Sequence, residues 1–300
     1  MKQIFLCFLL LPLFFSCVKD DDPFEPDEPE FDPVAAVVEK NVQYGTDREN
    51  VMDVYLPADR STSTTKVIIL LHGGAWSQND KADEYFAPVV DFVREYLPDW
   101  AIFNLNYRLA KITGQNLFPS QEEDVKTAVK YIHDRREKFG ISNTWVIGGE
   151  SSGAHLAMLQ AYKYSSPIKF KAVVDFYGPT DMVDLYRFYE EIPDAVDREA
   201  MLLGLRTLMG GTPSGNPNLY NSSSPINFVT AQSPPTIILQ GELDDVVPMR
   251  QSEALADKMT SLGVTHEYVF HPRQTHGWSD PVVVTKSFNA IDAFLKANVP

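Results

Sequence analysis

The run Trp145-Val146-Ile147-Gly148-Gly149-Glu150-Ser151-Ser152-Gly153 decides the fold. Thr144 to Ile147 is apolar enough for a strand buried on both faces, and Ser152 to Tyr164 carries apolar residues at helical spacing. Between them, Gly149-Glu150-Ser151-Ser152-Gly153 is a G-x-S-x-G turn. A serine on such a tight strand-to-helix turn is pushed clear of the sheet. Its hydroxyl then sits at a helix N-terminus, where developing negative charge is favoured. The flanking glycines are required because side chains there would clash. Ser151 is therefore the candidate nucleophile. Ser152 is the competing serine, but it fills the next position, whose backbone N–H this chemistry uses.

Working outward, the strand pattern repeats. Lys66 to Leu71, Trp100 to Leu105, Ala172 to Phe176 and Thr236 to Leu239 are continuous apolar runs, and Tyr268 to Phe270 is a shorter one. Ala35 to Gln43 and Val51 to Leu56 read as an antiparallel pair at the start. Helical spacing marks Gln121 to Lys138, Ser252 to Leu262 and Val282 to Ala297. Strands alternating with helices predict an α/β class with a mostly parallel sheet, helices on both faces and right-handed crossovers. The fifty residues from Asp181 to Thr230 break this rhythm, since a plain connection takes only a handful. They read as a cap or lid inserted over the sheet edge, against the blander alternative of a decorative helix pair. The catalytic domain is expected over 34–300.

Two further segments complete a constellation. His72-Gly73-Gly74-Ala75-Trp76 follows the strand ending at Leu71. Acyl transfer needs donors aimed at a carbonyl oxygen as it becomes an oxyanion, and paired glycines let the backbone come close. Gly73, Gly74 and Ser152 are the expected donors, with His72 ordering the loop. The acid and base should follow the serine in that order. Gly241-Glu242-Leu243-Asp244-Asp245 comes just past a strand end, and Asp244 is the expected acid, with Asp245 and Glu242 as rivals. Three histidines lie further on. His266 is at a strand start, the wrong edge of a parallel sheet. His271 and His276 fall in the loop after the last strand, and Thr275-His276-Gly277-Trp278 directly precedes the last helix, so His276 is the expected base. His133 and His155 are upstream on helices and read as core or surface residues. Trp76 and Trp278 are candidates for a pocket wall, as apolar or sugar-stacking surfaces, although aromatics are as often core.

With these residues in place, the chain resembles an α/β-hydrolase of the bacterial esterase and lipase group with a His-Gly-Gly oxyanion loop. It is similar to BD-FAE, carboxylesterase-lipase-like, hormone-sensitive-lipase-like and kynurenine-formamidase-like families. The likeness runs from about Val51 to the C-terminus. Scaffold landmarks support it: Asn106-Tyr107-Arg108-Leu109, Phe118-Pro119 leading to Glu123-Asp124-Val125, and Asp175-Phe176-Tyr177-Gly178-Pro179-Thr180-Asp181. Ser152 stands where such relatives often have alanine. The resemblance implies a serine carboxylic-ester hydrolase that works through an acyl-enzyme with a Ser151-Asp244-His276 triad, on ester substrates that include acetyl or feruloyl groups of glycans. It implies no cofactor and no metal. A serine peptidase of the prolyl-oligopeptidase type shares the triad order, but such chains usually carry a large N-terminal propeller. A formamidase-like amidase is a further reading on the same fold. A non-catalytic glycan-binding lipoprotein is the rival from outside the enzymes.

The N-terminus reads as an address. Met1-Lys2-Gln3 is a short basic start, and Ile4 to Phe15 is an apolar run too short to span a bilayer but right for a secretory signal, which predicts a signal peptide over 1–16. Phe14-Phe15-Ser16-Cys17 resembles a bacterial lipobox, imperfectly because of the two phenylalanines, and makes Cys17 the candidate for lipidation. Val18-Lys19-Asp20-Asp21-Asp22 looks like the export signal of surface-displayed lipoproteins. With the proline-punctuated acidic stretch to Pro33, residues 17–33 are expected to form a tether. The expectation is an exported outer-membrane lipoprotein exposed at the cell surface, held to the membrane by its lipid. The net charge of −15 argues against a nucleic-acid partner, although much of the acid lies in this tether. Cys7 and Cys17 are the only cysteines, so the domain proper can hold neither an internal disulfide nor a thiolate metal site.

Overall fold

A computed structural model describes residues 34–84 and 86–300. The signal peptide, Cys17 and the tether lie outside the described residues. Eight strands form one sheet: β1 (Val37–Gln43), β2 (Val51–Leu56), β3 (Val67–Leu71), β4 (Ala101–Leu105), β5 (Trp145–Glu150), β6 (Ala172–Phe176), β7 (Thr236–Gly241) and β8 (His266–His271). Their spatial order is β1-β2-β4-β3-β5-β6-β7-β8. β1 and β2 pair antiparallel, and β2 pairs antiparallel with β4. From β4 to β8 every pair is parallel.

The apolar runs follow from burial on both faces. In β3, Val67, Ile69 and Leu71 enter the core on one side, while Ile68 and Leu70 enter the core on the other. All five are buried, worth about 1.5–3 kcal/mol each. The first core lies under α2 (Ser120–Asp134), α4 (Ser152–Lys163) and α8 (Arg250–Leu262). The second lies under α1 (Ala87–Tyr96) and α9 (Pro281–Asn298).

Differences from the sequence reading have local causes. Helix α1 is not among the predicted elements. Its N-cap, Phe86, makes no side-chain cap, so the usual Ser, Thr, Asp or Asn start signal is missing, and the proline in its first turn is the one start signal present. The predicted helix 121–138 is two helices, because Arg135 leaves helical geometry (φ −105°, ψ 12°) before α3 (Arg136–Phe139). His271 ends β8 and is buried, where the sequence reading put it in the following loop.

The segment after β6 folds into α5 (Met182–Glu190), α6 (Ala195–Leu208), α7 (Pro217–Ser222) and a 3-10 turn, Pro225–Phe228. It is tied at both ends. The Gln251 side chain accepts from the Thr180 and Asp181 N–H groups and donates to the Asp184 carboxylate, and Arg250 pairs with Asp184 at 3.0 Å. The Ser224 hydroxyl accepts from the Met182 N–H, and Lys163 donates to the Ser222 carbonyl.

Candidate active site

β5 delivers Ser151 at its C-terminal end with φ 51° and ψ −120°, a left-handed conformation that costs on the order of 1–3 kcal/mol for a residue with a side chain. The close approach of β3 explains the flanking glycines. A Cβ at Gly149 would lie 2.4 Å from the Leu71 carbonyl oxygen, and one at Gly153 would lie 2.2 Å from the same atom. The strain is held by the Ser151 N–H donating to the Phe176 carbonyl and its carbonyl accepting from the His155 N–H.

Three sequence-predicted residues meet here. His276 Nε2 lies 2.9 Å from Ser151 Oγ, and His276 Nδ1 lies 2.8 Å from Asp244 Oδ2. The Asp244 side chain is wholly buried, while that of His276 is 19% exposed, open enough to meet solvent or a ligand. Asp244 Oδ1 also accepts from the Val246 and Val247 N–H groups, and Oδ2 from Gln240 Nε2. Gln240 is itself oriented by Ser252 Oγ, which donates to its amide oxygen. The carboxylate is therefore fixed by donors on both oxygens and can hold the imidazole in the Nδ1–H tautomer, leaving Nε2 to accept a proton from Ser151. The rivals stand elsewhere. Asp245 is exposed, and the Glu242 carboxylate accepts the Arg273 N–H. His271 bonds Ser287 Oγ at 2.9 Å, and burial lowers its pKa to about 4. His266 is on the opposite sheet edge, as expected of a strand start.

The loop after β3 turns sharply at Gly74 (φ 115°), where a Cβ would meet the Gln78 carbonyl oxygen at 2.2 Å. The Gly74 carbonyl accepts from the Ser77 and Gln78 N–H groups. Ser152 begins α4, so its N–H has no intrahelical acceptor. Its hydroxyl, the departure from alanine, has a partner in Tyr107 OH at 3.2 Å, and Tyr107 in turn donates to the His72 carbonyl. His72 stacks on Tyr107 with ring centroids 4.5 Å apart and bonds the Gly73 carbonyl, which fits a loop-ordering residue. Burial lowers its pKa to about 4.

Gly73 lies beside Glu150, where a Cβ on it would be 3.2 Å from Glu150 Oε1. One expectation is corrected. Trp76 is only 5% exposed and its indole N–H donates to His155 Nδ1 at 3.1 Å, so it offers no stacking face to a ligand. Trp278 is half-buried, packed against Tyr177 and His271, with its N–H on Ser287.

Sequence reasoning missed Glu150 and Tyr177 as site residues. Burial pushes the Glu150 pKa up, opposed by the hydrogen bond from Tyr177. Tyr177 OH donates to Glu150 at 3.0 Å, and the Tyr177 ring packs edge-on against His276 at 4.7 Å. The only sequence signal was the Tyr177-Gly178 landmark; nothing in local spacing says that β6 brings this ring to His276. No group of His, Cys, Asp and Glu among the described residues is arranged to hold a metal ion.

The BD-FAE family model matches residues 52–259, well over half of the chain. Esterase LipC of Mycobacterium tuberculosis is 26% identical over 252 residues, covering 80% of this chain and 59% of that protein. The chain spans little more than half the length of the curated relatives it matches first. Among solved structures, a truncated carbohydrate esterase from gut microbiota is 25% identical with a TM-score of 0.70, covering 91% of this chain and 99% of that one. A bifunctional GH43-CE protein of Bacteroides eggerthii is 27% identical with a TM-score of 0.68, covering 86% of this chain and 38% of that one. The fold is that of an α/β-hydrolase, and the chain belongs to the BD-FAE family.

Proposed function

We propose that this protein is a serine carboxylic-ester hydrolase that removes acyl groups from glycans. The single observation that carries the reading is the unbroken hydrogen-bond chain from Asp244 through His276 to Ser151 at the C-terminal edge of the parallel sheet, where such folds gather their functional loops. Its likeness to named esterases and to carbohydrate esterase structures supports the same chemistry.

In this reading His276 Nε2 takes the Ser151 Oγ proton as Oγ attacks the ester carbonyl carbon. The Gly74 and Ser152 N–H groups hold the resulting oxyanion, and Asp244 stabilises the imidazolium. The C–O bond to the alcohol breaks as His276 returns the proton to it, leaving an acyl-Ser151. Water then repeats the sequence, losing its proton to His276 and releasing the acid. Acetyl and feruloyl esters of plant polysaccharides are the proposed substrates. They fit a protein that, by its N-terminal sequence, is exported and lipidated at Cys17 and displayed on the outer membrane.

The test is a panel of short-chain aryl esters, acetylated xylo-oligosaccharides and feruloyl sugars, with peptide and amide substrates beside them. Turnover of the glycan esters by wild type, with loss in Ser151→Ala, is the expected result. Cleavage of amides in preference to esters would replace the esterase reading by an amidase or peptidase one. A mass measurement on the mature N-terminus tests the anchor: a diacylglyceryl adduct on Cys17 is expected, and an unmodified cleaved end contradicts it.

A further inference from the structure

His155 sits one turn along α4 from Ser151, fully buried, and it bridges three parts of the molecule. Its Nδ1 accepts the Trp76 indole N–H at 3.1 Å. Its Nε2 lies 2.7 Å from the Ser223 carbonyl in the inserted segment. Its backbone N–H donates to the Ser151 carbonyl at 3.0 Å. An indole nitrogen only donates and a carbonyl only accepts, so the two ring contacts admit one state of the imidazole: neutral, with the proton on Nε2. Burial favours that state, lowering the pKa to about 4.

Trp76 closes the oxyanion loop. It has φ 59°, the carbonyl of Gly74 is bonded by Ser77 and Gln78 beside it, and the Trp76 carbonyl accepts from the Ala110 N–H. The indole packs edge-on to the His155 ring, at 5.1 Å between centroids. An oxyanion hole works only if its donors are held at the right place before the charge develops, and here the loop that carries the Gly74 donor is itself in left-handed backbone geometry at Gly74, Ala75 and Trp76. Such a turn needs an external restraint. His155 supplies it, and Ser223 fixes the tautomer that lets His155 do so, as a second partner fixes the working nitrogen of any functional histidine.

We propose that His155 is a positioning residue for the oxyanion loop, locked in its accepting tautomer by the inserted segment, so that the placement of the Gly74 donor depends on that segment. The inference rests on the esterase reading above. It differs from the triad roles in that His155 touches neither substrate nor Ser151 Oγ.

The test compares wild type, His155→Phe, His155→Asn and Trp76→Phe on a p-nitrophenyl ester and the matching thionoester, after melting curves have identified the folded variants. The sulfur of a thionoester gains little from oxyanion-hole donors, so the oxygen-to-sulfur rate ratio reports the hole itself. His155→Phe and Trp76→Phe should lower kcat on the oxygen ester by about 10-fold or more, less than the loss of a whole donor. KM should barely change, and the oxygen-to-sulfur ratio should fall by a similar factor. In His155→Asn an amide oxygen stands where Nδ1 accepted and no tautomer is needed, so this variant should restore most of the ratio. Folded His155→Phe or Trp76→Phe with an unchanged ratio would overturn the proposal, as would equal slowing of both esters or failure of His155→Asn to restore the ratio. Wild type that cleaves neither ester would sink the esterase reading, and this inference with it.

Discussion

Ser151 is held in a backbone conformation that any side chain strains, and that strain predicts an unusual stability order. Ser151→Gly should be more stable than Ser151→Ala by about 1 kcal/mol, although both should be inactive, because only glycine adopts φ 51° at little cost. Urea melts of the two variants check this, and an alanine variant equal to or above the glycine one would mean the elbow is unstrained. Asp244→Asn should keep the fold and lower kcat by about 10⁴, through loss of the histidine tautomer and of the compensating charge. Steady-state rates on an aryl ester measure it, and a loss below 10-fold would remove Asp244 from the triad. At this scale the sequence was most informative where one motif dictates geometry. Ser151 follows from G-x-S-x-G, and His276 from its place between the last strand and helix. Gln240, Tyr177 and His155 were not legible, because each acts through a partner more than a helical turn away in sequence: Asp244 through a side-chain amide, His276 through a ring face, Trp76 through an indole N–H.

At the scale of elements, the inserted segment is tied to the rest of the domain near both of its ends. Its first helix is clamped by Arg250 and Gln251 from the segment that follows Asp244, and the end of α7 is held by His155 at the Ser223 carbonyl and Lys163 at the Ser222 carbonyl. Gln251→Ala should therefore cost about 1–3 kcal/mol, because it strands the Thr180 and Asp181 N–H groups in a buried site. It should also speed amide exchange across 182–190 before any other region. Exchange that stays uniform would mean the clamp is redundant. The insertion was legible as an interruption of the strand-helix rhythm, but not its anchorage, since Gln251 and Ser224 carry no pattern that marks them as fasteners. Helix α1 was missed for the converse reason: apolar packing against α9 and the sheet forms it without a capping residue.

At the scale of the whole molecule, buried titratable groups set the pH dependence of stability. His72, His155 and His271 each have pKa values lowered by burial to about 4 from 6.5. Their contribution is complete above pH 6.5 and is lost as pH falls through 4, because the unfolded chain takes up the protons first. Asp175 acts the other way. Its Oδ2 has no partner among the described residues and burial raises its pKa to about 7 from 3.8, so its contribution is complete below pH 3.8 and lost as pH rises through 7. Glu150, also raised by burial, acts in the same direction as Asp175, and three histidines against these two carboxyls predict a net rise in melting temperature from pH 4 to 6.5, steeper in Asp175→Asn. A flat profile in wild type, or an unchanged slope in that variant, would contradict this account. The α/β class and the parallel core were readable from apolar runs, since both faces of β3 and β5 are covered. The crossing that puts β4 between β2 and β3 was not, because strand order depends on which loops reach across the sheet and leaves no trace in local periodicity.

The central claim is that Ser151 is a nucleophile made reactive by His276. Labelling with a fluorophosphonate, followed by intact mass and peptide mapping, tests it most directly. The account predicts one adduct, on Ser151, absent in Ser151→Ala and formed at least 10³-fold more slowly in His276→Ala. No adduct on folded wild type, an adduct on another serine, or undiminished labelling of His276→Ala would contradict it.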